Sequence, residues 1–403
     1  MLPAPVLLAA ALFLIIATTN ILTPLLPQIR GDFDVSIAMA GVIVGSYGLA
    51  RLIIDLPAGF LADRVGHGRA SAAALALLVI ASLLGLNAAN VETLIASRIG
   101  AGVAVGILST VILSSLSATA GSGNRGKVMS LFHVANNVGI AAYPLLGALL
   151  GAAFGWRSTF LVTAALGVVA GLVLLPVLGR LRGEGISSQR AVRSDDRVIH
   201  GRRRGVAILA TNLGVVANMV NRHGFRNTIL PLYAATALGL GGLSIATAIA
   251  LMSIVGLVVA TPGGMLGDRI GRRRVIVTGL TAVAVGDLVF ILTGDLVTFL
   301  LASALIGLGD FFASSQTALL SEIVPLEQRT QVLSGYRFSA DLGAFVGPVL
   351  LAAVMDAASA QVAILVAAGI LISASLVARF AVPASVDLRP TPARTPAGLE
   401  GSL

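Results

Sequence analysis

Apolar residues recur along this chain in runs of about 20, separated by short polar stretches, and runs of that length cross a hydrocarbon core about 30 Å thick. Twelve such runs predict helices over residues 5–28, 38–61, 71–90, 93–119, 127–151, 158–179, 206–233, 242–266, 274–294, 296–321, 330–354 and 358–380. The first has no basic region before it and is longer than a signal-peptide core, so it is expected to be retained. The long polar stretch at 180–205 interrupts the pattern near the middle and reads as a flexible linker. It separates a six-helix bundle over 1–179 from a second over 206–383. The polar, aperiodic stretch 384–403, with Pro390, Pro392 and Pro396, is expected to be a disordered tail.

Composition strengthens this reading. Charged residues make up 11% of the 403 residues, apolar ones 57%, and mean hydropathy is +0.97, far from the balance of a water-soluble domain. The fold class expected is an all-α membrane protein. Cysteine is absent, which excludes disulfides, thiolate catalysis and thiolate metal sites, and the four histidines lack ligand spacing. No metal or cofactor is expected.

The net charge of +9 takes its meaning from position. With both termini cytoplasmic, Arg64, Arg69, Arg125, Lys127, the arginines of 180–204, Arg269, Arg272 to Arg274, Arg329 and the C-terminal arginines share the inner side. Only Arg30 and Arg157 fall outside. That asymmetry reports topology in a cell membrane and contact with anionic headgroups, not nucleic acid.

The halves repeat. LPAGFLADRVG at 56–66 matches TPGGMLGDRIG at 261–271, RGKVMSLFHVANNVGIAAYP at 125–144 matches RTQVLSGYRFSADLGAFVGP at 329–348, and Leu26-Pro27 matches Leu230-Pro231. A nearly constant offset across hundreds of residues marks internal duplication, which in transporters places the substrate site between the repeats near the bilayer midplane.

These residues resemble the major facilitator superfamily over residues 5–380. The stretch Gly59 to Arg69, containing Asp63, Arg64 and Gly66, looks like that family's G-x-x-x-D-R-x-G-R-R loop, with His67 and Gly68 in place of the basic pair. A second copy holds Gly264, Asp268, Arg269 and Gly271 to Arg274. The resemblance implies two six-helix bundles and a latch role for Gly59, Asp63, Arg64, Arg69, Asp268 and Arg269. Physically, Gly59 and Gly66 permit close approach and a tight turn, and Asp63 can pair with a helix N-terminus or a basic partner. Arg98 resembles the family's R-x-x-x-G element, tied to proton coupling, with Ala101 where glutamine is usual. Gly139, Tyr143, Pro144 and Gly147 resemble the G-x-x-x-G-P-x-x-G pattern of drug antiporters, and Gly343, Gly347 and Pro348 its counterpart in the other half. Ordinary small-residue packing explains the latter equally well. Trp156 and Arg157 read as interfacial anchors.

Arg51, Arg98, Arg222, Arg226 and Arg337, with Asp55, Asp287, Asp310 and Asp341, lie within predicted spans. Each costs roughly 2.5–3.5 kcal/mol near mid-bilayer, so pairing or a wet cavity is expected. Arg51 and Arg337 sit at similar depth, roughly 12 Å from the cytoplasmic surface at 1.5 Å per residue. With Asp55 and Asp341 they form a candidate gate between the halves, the alternative being a static pair within each helix. Asp310 is the first candidate proton carrier, near Arg98 or Arg226, or else a fixed counter-ion. Asp341 and His133 are further coupling candidates, although a lone membrane histidine such as His133 is more often a packed hydrogen-bond donor. Asn20, Asn136, Asn137, Arg222, Arg226, Tyr233 and Gln316 are candidates for the substrate lining, and Asp287 has no visible partner.

The leading expectation is alternating-access, proton-coupled efflux of a small drug or metabolite, by a monomer in a lipid bilayer, with sodium as an alternative ion. Uptake of an anionic metabolite, a lipid translocator and a non-transporting sensor are the other readings. No nucleophile, base and oxyanion donor assemble into an enzyme.

Overall fold

A computed structural model describes residues 3–119, 125–183 and 202–384. Helix α1 runs over Ala4–Asp32, broken by a 3₁₀ turn at Thr23–Leu25, where Pro24 and then Pro27 remove backbone donors from the ladder. It is followed by α2 (Ile37–Val65), α3 (His67–Leu86), α4 (Val91–Thr119), α5 (Arg125–Phe154) and α6 (Ser158–Gly183). Helix α7 joins Arg202–Met219, a π-helical stretch Val220–Ile229 and Leu230–Ala237. Then come α8 (Gly242–Ile270), α9 (Arg272–Val289, with a 3₁₀ turn Phe290–Leu292) and α10 (Leu296–Gly309, a 3₁₀ turn Asp310–Phe312, Ala313–Ile323). The described chain ends with α11 (Leu326–Ala357) and α12 (Ala360–Ala381).

Eleven of these helices have the length and apolar composition to cross a membrane, and α7 is the twelfth, its apolar count lowered by the polar run from Asn218 to Asn227. Caps start several of them: the side chains of Ser36, Asp295 and Ser359 accept from the backbone N–H of Met39, Thr298 and Val362, satisfying donors that a helix start leaves open. The helices overrun the predicted boundaries. Gly59, Asp63 and Arg64 therefore lie on the last turns of α2, and the turn itself is reduced to Gly66. The expected linker 180–205 is helical at both ends, as the last turn of α6 and the first of α7; 184–201 and 385–403 lie outside the described residues.

Duplication is visible in the backbone. Asp34 (φ 48°) and Gly239 (φ 62°) occupy matching left-handed turns, as do Gly66 (φ 93°) and Gly271 (φ 103°); positive φ favours glycine because it has no Cβ. Pro57 and Pro144 recur as Pro262 and Pro348 inside α2, α5, α8 and α11.

Buried apolar side chains form two clusters, one almost entirely from α1 to α6 and the other mainly from α7 to α12. The bundles meet along α2 against α11 and α5 against α8. Twelve crossings return the chain to the face it started from, here called the terminal face. From the opposite face to mid-membrane the seam is tight: a Cβ added to Gly41 would lie 2.4 Å from the Pro348 carbonyl oxygen, and one at Gly48 2.8 Å from the Ala344 carbonyl.

Candidate functional site

The π-helical stretch of α7 concentrates Asn221, Arg222, His223, Arg226 and Asn227 in the middle of the membrane. A π-helix inserts an extra residue per turn and recurs at functional sites. Here it lets neighbouring polar residues point both into the C-terminal bundle and toward the seam.

Arg226, 6% exposed, grips Asp310 with both ends of its fork, at 2.7 Å to Oδ2 and 2.9 Å to Oδ1. Its Nε donates to Asn221 Oδ1 at 3.0 Å, and Asn221 Nδ2 in turn donates to Asp287 Oδ2. Asp287 is fully buried. The partner that sequence reading did not find for it is thus an amide, one step from the guanidinium. A bidentate pair of this kind fixes both groups in orientation and is stronger than a neutral hydrogen bond. Of the two arginines expected near Asp310, Arg226 is the partner. Arg98 lies in the N-terminal bundle, donating to the Thr18 carbonyl at 2.7 Å with its guanidinium 4.9 Å from the centre of the Tyr47 ring. The Thr19 hydroxyl donates to the Tyr47 hydroxyl at 2.7 Å.

Three cavities connect these groups. The first, about 90 Å³, is lined by Arg222, Arg226, Asp310, Asn227 and, across the seam, Asn137. The second, about 30 Å³, shares Asn227 and adds Arg98, Tyr47 and His223. The third, about 230 Å³, shares Tyr47 and His223 and extends toward the terminal face past Asn136, Arg51, Asp55, Arg337 and Asp341. Arg222 has no hydrogen bond or ion pair among the described residues, although it faces the same cavity as Asp310.

Within the expected gate, Arg51 bonds Asp55 at 2.8 Å and approaches Asp341 of the other bundle at 3.7 Å. Arg337 lines the cavity but makes no ion pair among the described residues. Arg51 Nε and Asp55 Oδ1 are buried without a partner.

The two latch copies differ. In the second, Arg272 bonds Asp268 and reaches Glu322 at 3.2 Å and the Gly264 carbonyl at 3.3 Å. In the first, His67 replaces that arginine and stands 4.0 Å from Asp63, which is 79% exposed at its side chain. Arg64, Arg69 and Arg269 are exposed, and a Cβ on Gly59 would meet nothing within 4 Å. Close helix approach at Gly59 is therefore not observed.

The remaining lining candidates separate. Asn136 and Asn137 face the cavities. Tyr233 is buried in the C-terminal bundle with its hydroxyl 3.4 Å from the Phe290 carbonyl, and Gln316, fully buried, accepts from the Tyr336 hydroxyl at 3.2 Å. Asn20 is buried, and His133 is exposed on α5 beside Phe132. Sequence reasoning missed Tyr47, Asn221, His223, Asn227 and Glu322. The polar density at 218–227 was a usable signal for three of them, whereas nothing local distinguishes Tyr47.

The arrangement is one of paired and unpaired charges lining cavities along the seam between duplicated bundles. Comparison with known proteins agrees. Over 166 residues the chain is 32% identical to the cephamycin export protein CmcT of Amycolatopsis lactamdurans, and over 153 residues 29% identical to the riboflavin transporter RibZ of Clostridioides difficile. The aligned stretches cover 41% and 37% of this chain but only 34% of each relative. A bacterial homolog of the human lysosomal transporter Spinster, in an inward-facing and occupied crystal structure, has the same fold, with a TM-score of 0.78 over 96% of this chain and 98% of that one at 16% identity. The model of the Major Facilitator Superfamily matches residues 8–219 and again 211–401. Duplicated bundles, the membrane-length helices and both matches of the family model lead to one conclusion: the chain is a multi-pass membrane protein and belongs to the Major Facilitator Superfamily.

Proposed function

We propose that the protein exports a small drug or metabolite in exchange for protons, by alternating access of the seam between its bundles. The observation that carries this is the buried Arg226–Asp310 pair, both members of which line the first cavity. A carboxylate held by one arginine inside the membrane can exchange that partner for a proton when the cavity changes the side it faces. The name of the cephamycin export relative supports the direction. In this reading the molecule works as a monomer in the cell membrane with both termini cytoplasmic, as the arginine distribution favours. The two bundles, joined through 180–205, rock as units.

A second reading, uptake of an anionic metabolite, is favoured by Arg222, which faces the cavity without a carboxylate of its own. One experiment separates them. The purified protein in sealed vesicles containing a pH dye is challenged with lipophilic cations, neutral drugs and organic anions, with Asp310→Asn as control. Compound-driven proton movement that disappears in Asp310→Asn is the expected result; movement with anions alone selects the second reading. Absence of proton movement with every compound overturns both.

A further inference from the structure

Asp287 is unused by the mechanism above, yet it is the most deeply enclosed carboxyl of the bundle. It sits on α9, outside the three cavities, and only one of its oxygens has a partner. The charged groups facing it are Arg226 and Asp310; from α7 the Asn221 amide touches it, and the Tyr233 hydroxyl lies beyond it at Phe290.

Charge accounting decides what this cluster holds. Arg226 is the guanidinium bonded within this cluster of two carboxyls, giving both Nη groups to Asp310 and only its Nε, through Asn221, toward Asp287, while Arg222 faces Asp310 from the cavity without a bond. An ionised Asp287 would leave a dehydrated anionic oxygen with no donor, among the costliest arrangements a protein interior can contain. With one proton the cluster is neutral, and the free Oδ1 is the atom available to carry it.

We propose that Asp287 is a second, exchangeable proton site, linked to the cavity through Asn221 and Arg226. In the arrangement seen, the proton is on Asp287 and Arg226 is bound to Asp310. When Arg226 turns its fork to Asp287, the Asp287 O–H bond breaks and the proton moves to the released Asp310, which lines the first cavity, so the cluster holds one proton and zero net charge before and after the exchange. The site rests on the proton-coupled reading, but its test does not require a known substrate.

The test is infrared difference spectroscopy of the full-length protein in lipid vesicles at neutral pH, in H₂O and after transfer to D₂O. The expected result is a carbonyl band of a protonated carboxylic acid that shifts on transfer to D₂O, is lost in Asp287→Asn, moves in Asp287→Glu and weakens in Asp310→Asn, where Arg226 is left with Asp287 as its carboxyl partner. Absence of the band from the wild type, or its persistence in Asp287→Asn, overturns the proposal. A band that never shifts in D₂O also overturns it, since the proton would then be a fixed structural one. The wild-type measurements hold even if a variant fails to fold. An exchanging band without compound-driven proton movement would leave the site intact and refute coupling instead.

Discussion

Arg222 and Arg226 stand one turn apart on α7 and face the same cavity, but only Arg226 has a carboxylate within bonding distance. A guanidinium without a counter-ion in a membrane cavity is costly unless water or a ligand anion completes it. Arg222 is thus the residue through which cargo charge should be read. If organic carboxylates are carried, Arg222→Ala should raise their half-saturation concentration roughly ten- to a hundred-fold, the worth of a charge-assisted hydrogen bond of about 1.5–3 kcal/mol. Arg222→Lys, keeping the charge but losing the planar fork, should fall between. Neutral compounds should be unaffected in the vesicle assay, and an equal loss for neutral and anionic compounds would remove Arg222 from cargo recognition. At this scale the sequence reveals which residues are charged within the spans but not who faces whom. Asp287 has no sequence neighbour to explain it, because its partner Asn221 lies 66 positions away. Tyr47 resembles any other aromatic in an apolar run until folding brings Arg98 over its ring.

Among the elements, α2 carries the clearest mechanical signal. Gly41, Gly45 and Gly48 form a stripe against α11, and backbone atoms of Ala344, Phe345 and Pro348 fill the space where their Cβ atoms would be. Backbone cannot yield as a flexible side chain can. Glycine to alanine inside a helix normally stabilises it by about 0.5–1 kcal/mol, so a defect in Gly48→Ala would report the seam and not the helix. The expected outcome is a seam forced apart at the opposite face. Because the chain has no cysteine, Val44→Cys provides a single label site for an impermeant maleimide. Labelling from that face should be several-fold faster with Gly48→Ala than without it, while Gly59→Ala, which meets nothing, should not change it. Equal rates with Gly48→Ala would mean that this stripe does not hold the seam. Helix number and order were legible from periodicity because every crossing must be about 20 apolar residues long. The break in α10 was not, since it depends on a distant contact: a Cβ on Gly263 of α8 would collide with the Phe311 carbonyl, so that glycine is what admits the 3₁₀ turn at Asp310.

For the molecule as a whole, the seam combines a tight far end with a polar near end, and Arg51–Asp341 is the ion pair that crosses it among the described residues. Its 3.7 Å separation and the 29% exposure of the Arg51 side chain place it nearer a surface pair, worth about 0.2–1 kcal/mol, than a sealed one. Removing it should therefore shift the balance between faces about two- to five-fold without abolishing transport. A charge reversal would be misleading, because an aspartate at 51 would stand one turn from Asp55, the present partner of Arg51 at 2.8 Å. The cleaner test is a double-mutant cycle of Arg51→Gln and Asp341→Asn, read by labelling of a single cysteine placed at the terminal face. If the pair couples the bundles, the double variant should label no faster than the faster single, a deviation from additivity of about 0.5–1 kcal/mol. Strict additivity would mean that each side chain acts only within its own bundle, with Arg51 held by Asp55. The seam would then rest on the glycine stripe and on the packing of α5 against α8, with no ion pair to modulate it at the terminal face among the described residues.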